Sequence, residues 1–206
     1  MCSFVGLFPL VCKVSKCELA AASIRKTPGV KPENVLVEIL DLASLQSVKE
    51  FSDHFKGLHN RLDHLILNAG VMHPPYTLTK DGIELQWAVN HVAHQLLTQE
   101  LLPLLEVSQP ATVVSVSSNG HFQALPADMM LDVDALSDKS NYNSTEHYGS
   151  SKLANVFFAQ ELARRVGDKS IFVNSLVSSY SPITRAPSAL VCPLFALVFL
   201  CHCFFS

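Results

Sequence analysis

A tyrosine and a lysine four positions apart form the strongest chemical signal in this 206-residue sequence. Tyr148 and Lys152 bound the segment Tyr-Gly-Ser-Ser-Lys within a stretch of helical periodicity. Side chains at this spacing share one helix face about one turn apart. An ammonium beside a phenol favours the phenolate and lowers the pKa of a tyrosine from about 10 towards neutral pH. The pair is therefore predicted to be an acid–base unit.

Further polar residues stand at the ends of the preceding elements. Ser117 and Ser118 end one apolar run, Asn68-Ala69-Gly70 ends the run before it, and Asn90 lies in the helix between the two. Enzymes with alternating strands and helices place their chemistry at the carboxyl ends of the strands. Since Tyr-x-x-x-Lys pairs also occur on solvated helices by chance, it is this chain order that favours a catalytic interpretation.

Strand and helix patterns alternate along the chain. β-branched or apolar runs predict strands at 34–40, 62–67, 111–118 and 170–177. Helical spacing predicts helices at 15–26, 44–55, 82–105 and 146–165, with Pro103 expected to end the third. This alternation implies right-handed crossovers and a Rossmann-like α/β fold, a doubly wound parallel sheet. The acidic stretch 119–145 is longer than most connections and is expected to form a substrate-side or lid segment.

Composition excludes several classes of protein. With 49% hydrophobic and 16% charged residues, the chain can bury a large core and is not disordered. A formal net charge of −3 provides no basic surface for nucleic acid. The six cysteines lie near the two ends, so we expect reduced intracellular thiols. His91 and His94 share a helix face, but no third ligand of matching spacing follows, so no metal site is expected.

In combination, these motifs resemble the short-chain dehydrogenase/reductase family over about residues 13–176. Leu40-Asp41-Leu42 is similar to the family's segment beside the adenine ring, and Asn68-Ala69-Gly70 is similar to its turn. The residues similar to its catalytic tetrad are Asn90, Ser118, Tyr148 and Lys152, with Ser117 as the alternative serine. Residues 78–94, LTKDGIELQWAVNHVAH, most resemble the branch of the retinol dehydrogenases and the WW domain-containing oxidoreductase.

The resemblance implies hydride transfer between NAD(P)H and a lipophilic carbonyl or alcohol, retinoid- or steroid-like. Tyr148 would exchange the proton, Ser118 would bind the carbonyl oxygen, Lys152 would bind the ribose and bias Tyr148, and Asn90 would relay protons through water. The cofactor-binding residues implied are Lys13, Asp41, Leu42, Asn68, Ala69, Gly70, Tyr148 and Lys152. Lys13 favours NADP over NAD through the 2′-phosphate.

The sequence departs from the family pattern near its ends. The closest glycines, Gly70 and Gly82, are twelve positions apart, so the family's glycine-rich phosphate loop and first strand are missing. The sheet is therefore expected to lose a central strand and to expose apolar edges. We divide the chain into an apolar N-terminus (1–12), an incomplete Rossmann-like domain (13–177) and a divergent apolar tail (178–206).

The composition of the tail leaves open whether the protein is cytoplasmic or associated with a membrane. Residues 186–206 contain no charged side chain, and a helix over 189–205 would span about 25 Å against about 30 Å of hydrocarbon. A membrane anchor, a core element and a divergent end all fit this composition. We expect an intracellular protein, cytoplasmic or membrane-associated through this tail, with homo-oligomerisation open. The main hypothesis is an oxidoreductase, and the alternative is a catalytically silent chain that acts through protein interaction.

Overall fold

Six strands form one sheet in the computed structural model, which describes residues 3–8, 14–178 and 198–202. In chain order they are β1 (Ser3–Phe8), β2 (Val35–Ile39), β3 (His64–Leu67), β4 (Ala111–Ser118), β5 (Ile171–Ser178) and β6 (Val198–His202). Their order across the sheet is β2-β1-β6-β3-β4-β5. β1 pairs in parallel with β2, and β4 pairs in parallel with both β3 and β5. The α/β class is confirmed.

Helices connect the strands as the sequence predicts. The helices are α1 (Val14–Arg25), α2 (Leu45–Leu58), α3 (Leu85–Trp87), α4 (Ala93–Val107), α5 (Ala127–Met130), α6 (Val133–Ser137) and α7 (Ser144–Arg165). A π-helical turn at Ala88–Val92 joins α3 to α4. Local capping explains where two of the long helices begin. The side chain of Ser44 accepts a hydrogen bond from Ser47 N before α2, and Asn143 accepts from Thr145 N before α7.

The expected end of the third helix at Pro103 is wrong, because α4 continues to Val107. Proline removes the hydrogen bond to the carbonyl four residues earlier, which belongs to Gln99. Gln99 is exposed, so water can replace that bond. Leu101 and Leu105, on either side of the proline, are fully buried in the core. Burial of these leucines holds the helix together through the proline.

The centre of the sheet differs from the expectation of exposed apolar edges. β6 lies between β1 and β3 and is antiparallel to both. Its five residues pair with Ser3–Leu7 on one side, and four of them pair with His64–Leu67 on the other. The backbone at the centre of the sheet is therefore paired by a strand from the apolar tail. The sequence did not indicate this, because a five-residue apolar run carries no information about its partners or direction.

The segment between β4 and α7 contains the short helices α5 and α6 rather than an open loop. Asp132 caps α6 by accepting hydrogen bonds from Asp134 N and Ala135 N. Asp138 accepts hydrogen bonds from the backbone and side chain of Ser140. Some of the acidic side chains of this segment therefore cap local helices and turns. Among the described residues, no helix combines the length and apolar character needed to cross a membrane.

One core lies between the sheet and the long helices. Leu97, Leu101 and Leu105 recur every four residues along α4 and are completely buried, as the helical spacing predicts. They belong to the same cluster as Leu65 and Leu67 of β3. Burying one leucine side chain contributes about 1.5–3 kcal/mol. This packing fixes α4 against the sheet.

His94 makes the core sensitive to acid. It is 1% exposed on α4. Burial, aided by the charges of Lys152 and His91, lowers the pKa of His94 from 6.5 to about 3. The unfolded chain binds a proton on this residue below pH 6.5 and the folded chain does not. The free energy of unfolding therefore falls with pH from 6.5 towards 3, by up to about 1.4 kcal/mol per pH unit.

We predict that His94→Met removes this part of the acid sensitivity. In urea unfolding at several pH values between 7.5 and 4.5, the free energy of unfolding should fall more steeply with falling pH in wild type than in the variant. The control is His54→Met, the same exchange at a histidine whose side chain is 57% exposed. Parallel curves for wild type and His94→Met would show that His94 is not the acid-sensitive group.

Candidate active site

Polar residues gather at one edge of the sheet. Since β6 is antiparallel to both β1 and β3, strands β1 to β5 all run the same way and present their carboxyl ends together. Asn68-Ala69-Gly70 follows β3 at this edge, and Ser118 is the last residue of β4. Open α/β sheets bind ligands outside the carboxyl ends of their strands. We therefore expect the functional site at this edge of the sheet.

Tyr148 and Ser118 meet across Gly120. A Cβ atom placed on Gly120 would lie 2.9 Å from Cε1 of Tyr148 and 3.7 Å from Oγ of Ser118. Any side chain here would push into the ring of Tyr148, so the close approach requires glycine. Oγ of Ser118 also accepts a hydrogen bond of 3.2 Å from Gly120 N. The turn after β4 thus brings the phenol and the hydroxyl to the same place.

The two serines at the end of β4 have different partners. Ser117 is buried and its Oγ donates a 2.7 Å hydrogen bond to the backbone oxygen of Lys152. That bond fastens α7 to β4 and occupies the hydroxyl. Ser118 is half-buried beside Tyr148, and its hydroxyl proton remains able to donate. The geometry therefore favours Ser118 over Ser117 as the catalytic serine.

Lys152 is buried beneath Tyr148. Its Nζ lies 5.8 Å from the centre of the tyrosine ring and donates a 3.1 Å hydrogen bond to Val116 O. The same carbonyl accepts a second hydrogen bond, 3.2 Å long, from Nδ2 of Asn155. With 5% of its surface exposed, the ammonium loses most of its hydration, and burial lowers the pKa of Lys152 from 10.5 to about 8.

Asn90 ties the turn after β3 to α7. Its Oδ1 accepts from Val71 N at 2.8 Å, and its Nδ2 donates to Val71 O and to Oγ of Ser151, both at 3.0 Å. Ser151 donates in turn to Tyr148 O. Asn90 lies in the π-helical turn, a feature frequent at functional sites. The predicted residues Asn90, Tyr148 and Lys152 are thus connected, although the sequence did not indicate Ser151 as the link.

Gly70 completes this side of the site. A Cβ on Gly70 would lie 3.1 Å from Oδ1 of Asn90 and 3.5 Å from Nζ of Lys152. A side chain would occupy the space beside the lysine, so glycine keeps the backbone of the turn accessible there. Ala69 is fully buried and packs in the core. Asn68 is half-buried at the end of β3.

The predicted adenine segment lies farther along the edge. Asp41 follows β2, which is separated from β3 by β1 and β6, or about 14 Å at about 4.8 Å per strand. Its carboxylate accepts a hydrogen bond of 2.9 Å from Ala43 N. Leu42 is 1% exposed and packs in the core. Lys13, the predicted contact for a 2′-phosphate, lies outside the described residues.

The residues present fit one half of a dinucleotide better than the other. The ammonium of Lys152 beside the turn at Gly70 provides a hydrogen-bond donor that suits a ribose. A pyrophosphate requires closely spaced glycines that lead from a strand into a helix, and the sequence has no such pair. At the centre of the carboxyl edge, β6 presents its amino end instead. In the described part of the chain, no three His, Cys, Asp or Glu side chains are grouped to hold a metal ion.

Comparisons with known proteins agree with this geometry. A family model described as short chain dehydrogenase matches residues 7–130, more than half of the chain. Retinol dehydrogenase 14 of Mus musculus is 41% identical over 170 residues, covering 79% of this chain and 49% of that protein. Retinol dehydrogenase 13 of Homo sapiens is 40% identical over 173 residues, covering 83% and 50%. The chain spans about half the length of these relatives.

Solved structures share the fold. An uncharacterised protein from Mycobacterium paratuberculosis superposes with a TM-score of 0.65 at 35% identity, covering 82% of this chain and 57% of that one. The RhlG/NADP complex of Pseudomonas aeruginosa has a TM-score of 0.61 at 22% identity, covering 82% and 60%. The resemblance to the retinol dehydrogenase branch is thus confirmed. On its motifs, its fold and these relatives, the chain belongs to the short-chain dehydrogenase family.

Proposed function

We propose that this chain is an oxidoreductase that transfers hydride between a nicotinamide cofactor and a lipophilic alcohol or carbonyl. The observation that carries the proposal is the meeting of Tyr148, Lys152 and Ser118 at the carboxyl edge of the sheet. Relatives about 40% identical are named as retinol dehydrogenases, which favours a retinoid-like substrate. The alternative of a catalytically silent interaction protein is not favoured, because all four predicted catalytic residues are present at the same edge of the sheet.

Tyr148 is the proposed proton donor and acceptor. In the direction of reduction, its hydroxyl gives a proton to the oxygen of the carbonyl substrate, and in oxidation the phenolate takes a proton from the alcohol. Lys152, with a pKa of about 8, carries a positive charge at neutral pH and lies 5.8 Å from the centre of the Tyr148 ring. Ser118 donates a hydrogen bond to the same substrate oxygen and orients it towards the phenol.

Asn90 has a positioning role in this proposal. Its side-chain amide forms hydrogen bonds with the backbone N and O of Val71 and also donates one to Ser151. These bonds set the distance between the turn after β3 and the residues that precede Lys152 on α7. The proton relay through water that the family resemblance implies for Asn90 stays a prediction. Water bound near Lys152 and Tyr148 would be required for it.

A bound nicotinamide cofactor supplies the hydride that the side chains cannot provide. The turn Asn68-Ala69-Gly70 and Lys152 would hold the ribose and the ring next to it, and Asp41 and Leu42 would lie beside the adenine. Lys13 would contact a 2′-phosphate, which makes NADP the preferred cofactor and NAD the second choice. We keep intracellular location, membrane association and self-association as parts of the proposal. Liposome flotation and sedimentation analysis would test the last two.

Tyr148→Phe tests the proposal directly. Loss of the phenolic proton should lower turnover of retinaldehyde with NADPH or NADH by about 10²–10⁴-fold, the range for general acid–base catalysis. Binding of NADPH, followed by its fluorescence, should be retained. The control is Tyr76→Phe, which removes a hydroxyl bonded to Ser137 O and should keep activity near that of wild type. If Tyr148→Phe remained fully active, the proposal would be wrong.

Lys152→Met should raise stability while it abolishes activity. Below pH 8, the buried Lys152 is charged. This charge lowers the free energy of unfolding by up to about 3 kcal/mol, because the same lysine has a pKa of 10.5 in the unfolded chain. Wild type therefore gains stability as the pH rises from 8 to 10.5. Methionine fills the same space without charge, and Val116 O keeps its bond from Asn155.

The measurement is urea unfolding of wild type and Lys152→Met at pH 7 and pH 10. The variant should be the more stable protein at pH 7, and its advantage should shrink at pH 10. Lys56→Met provides the comparison, since Lys56 forms exposed ion pairs with Asp53 and Glu100. Burial would not be the dominant effect at Lys152 if its variant were destabilised at both pH values.

A further inference from the structure

We propose that His73 is a positioning residue for Tyr148, an inference that rests on the function proposed above. His73 lies in the loop after β3, three residues beyond Gly70. Its ring meets the ring of Tyr148 edge-on, with centroids 5.9 Å apart and planes at 79°. Aromatic pairs favour this T-shaped arrangement. His73 therefore contacts the proton-donating side chain itself, from an element other than the helix that carries it.

The backbone of His73 is held in an unusual conformation. Its φ is +54°, and it is the only non-glycine with positive φ among the described residues. This region is costly for residues with a side chain, although histidine enters it more readily than most. Strained backbone persists where the surroundings enforce it, and such positions cluster at active sites. The residues around His73 must therefore hold it in this conformation.

Gln86 supplies the restraint. It is completely buried, and its Oε1 accepts a 2.9 Å hydrogen bond from His73 N. Its Nε2 donates at 3.0 Å to Ser144 O, four residues before Tyr148. One side chain thus joins the loop of His73 to the first turn of the helix that carries the tyrosine. Tyr142 strengthens the link by donating a 2.6 Å hydrogen bond to Pro74 O.

Two groups limit the ring of Tyr148 besides His73. The backbone at Gly120 leaves no room for a Cβ next to Cε1, and the ammonium of Lys152 lies 5.8 Å from the ring centre. Neither is an aromatic surface that could hold the ring by its edge. His73 adds that contact. Its imidazole thereby restricts the orientations of the tyrosine towards those that present the hydroxyl to a substrate.

Substitutions that tolerate positive φ separate the ring of His73 from its backbone. Asparagine and glycine both adopt this conformation readily, so His73→Asn and His73→Gly should remove the imidazole while the loop keeps its course. His73→Phe keeps an aromatic ring at the position. His54→Asn is the matched control, because it makes the same exchange on α2 at an exposed histidine.

The first readout is chemical labelling, which needs neither cofactor nor turnover. Nitration by tetranitromethane, quantified by peptide mass spectrometry, should increase at Tyr148 relative to Tyr76 in the Asn and Gly variants. We expect a rise of about two- to tenfold, the range that corresponds to one lost aromatic contact. His73→Phe should return the ratio towards wild type. An unchanged ratio in both ring-deleted variants, or equal increases at both tyrosines, would overturn the inference.

The second readout is kinetic, with retinaldehyde and NADPH as the probes. A positioning role predicts that His73→Asn lowers kcat by about two- to tenfold and leaves KM nearly unchanged, since the substrate still binds. A change confined to KM, or no change in kcat, would overturn the inference while the proposed function stood. If instead Tyr148→Phe kept full activity, the proposed function would fail, and with it the positioning role. Labelling would then still report whether the two rings are in contact.

Discussion

The carbonyl oxygen of Val116 is the point on which the site depends. It accepts hydrogen bonds from Nζ of Lys152 and from Nδ2 of Asn155, while Oγ of the next residue, Ser117, donates back to Lys152 O. These three bonds fix α7 on β4 in both translation and rotation. Because Tyr148 lies one turn before Lys152, the register set here decides where the phenol lies. A helix shifted by one residue would turn the phenol away from Ser118.

This anchoring places a charge where it is unfavourable. Lys152 is removed from water, and in the described part of the chain its ammonium donates to a backbone oxygen rather than to a carboxylate. The burial of this charge is a cost in folding that packing alone does not explain. The large apolar core, with the leucines of α4 at its centre, offsets that cost. Polar groups kept against stability are a common property of active sites.

Local patterns predict much of this structure, and contacts between distant segments do not follow from them. The spacing of Tyr148 and Lys152 and the leucines of α4 could be predicted because a helix repeats every 3.6 residues. The choice of Ser118 over Ser117 required the partner of each hydroxyl, which lies on another element. β6 pairs with strands more than a hundred residues away in sequence. The restraint of His73 by Gln86 likewise depends on a backbone conformation that no sequence pattern predicts.

The direction of β6 also bears on two functions of a dinucleotide site, the binding of phosphate and the transfer of a proton. A parallel strand at the centre of the sheet would end at the carboxyl edge and could lead into a helix whose N-terminus binds phosphate. An antiparallel strand begins there, so its pairing can complete the sheet without providing that turn. The groups proposed to move a proton lie on β4, α7 and the turn after β3, on one side of this strand. The proposed proton chemistry and the binding of phosphate therefore depend on different parts of the chain.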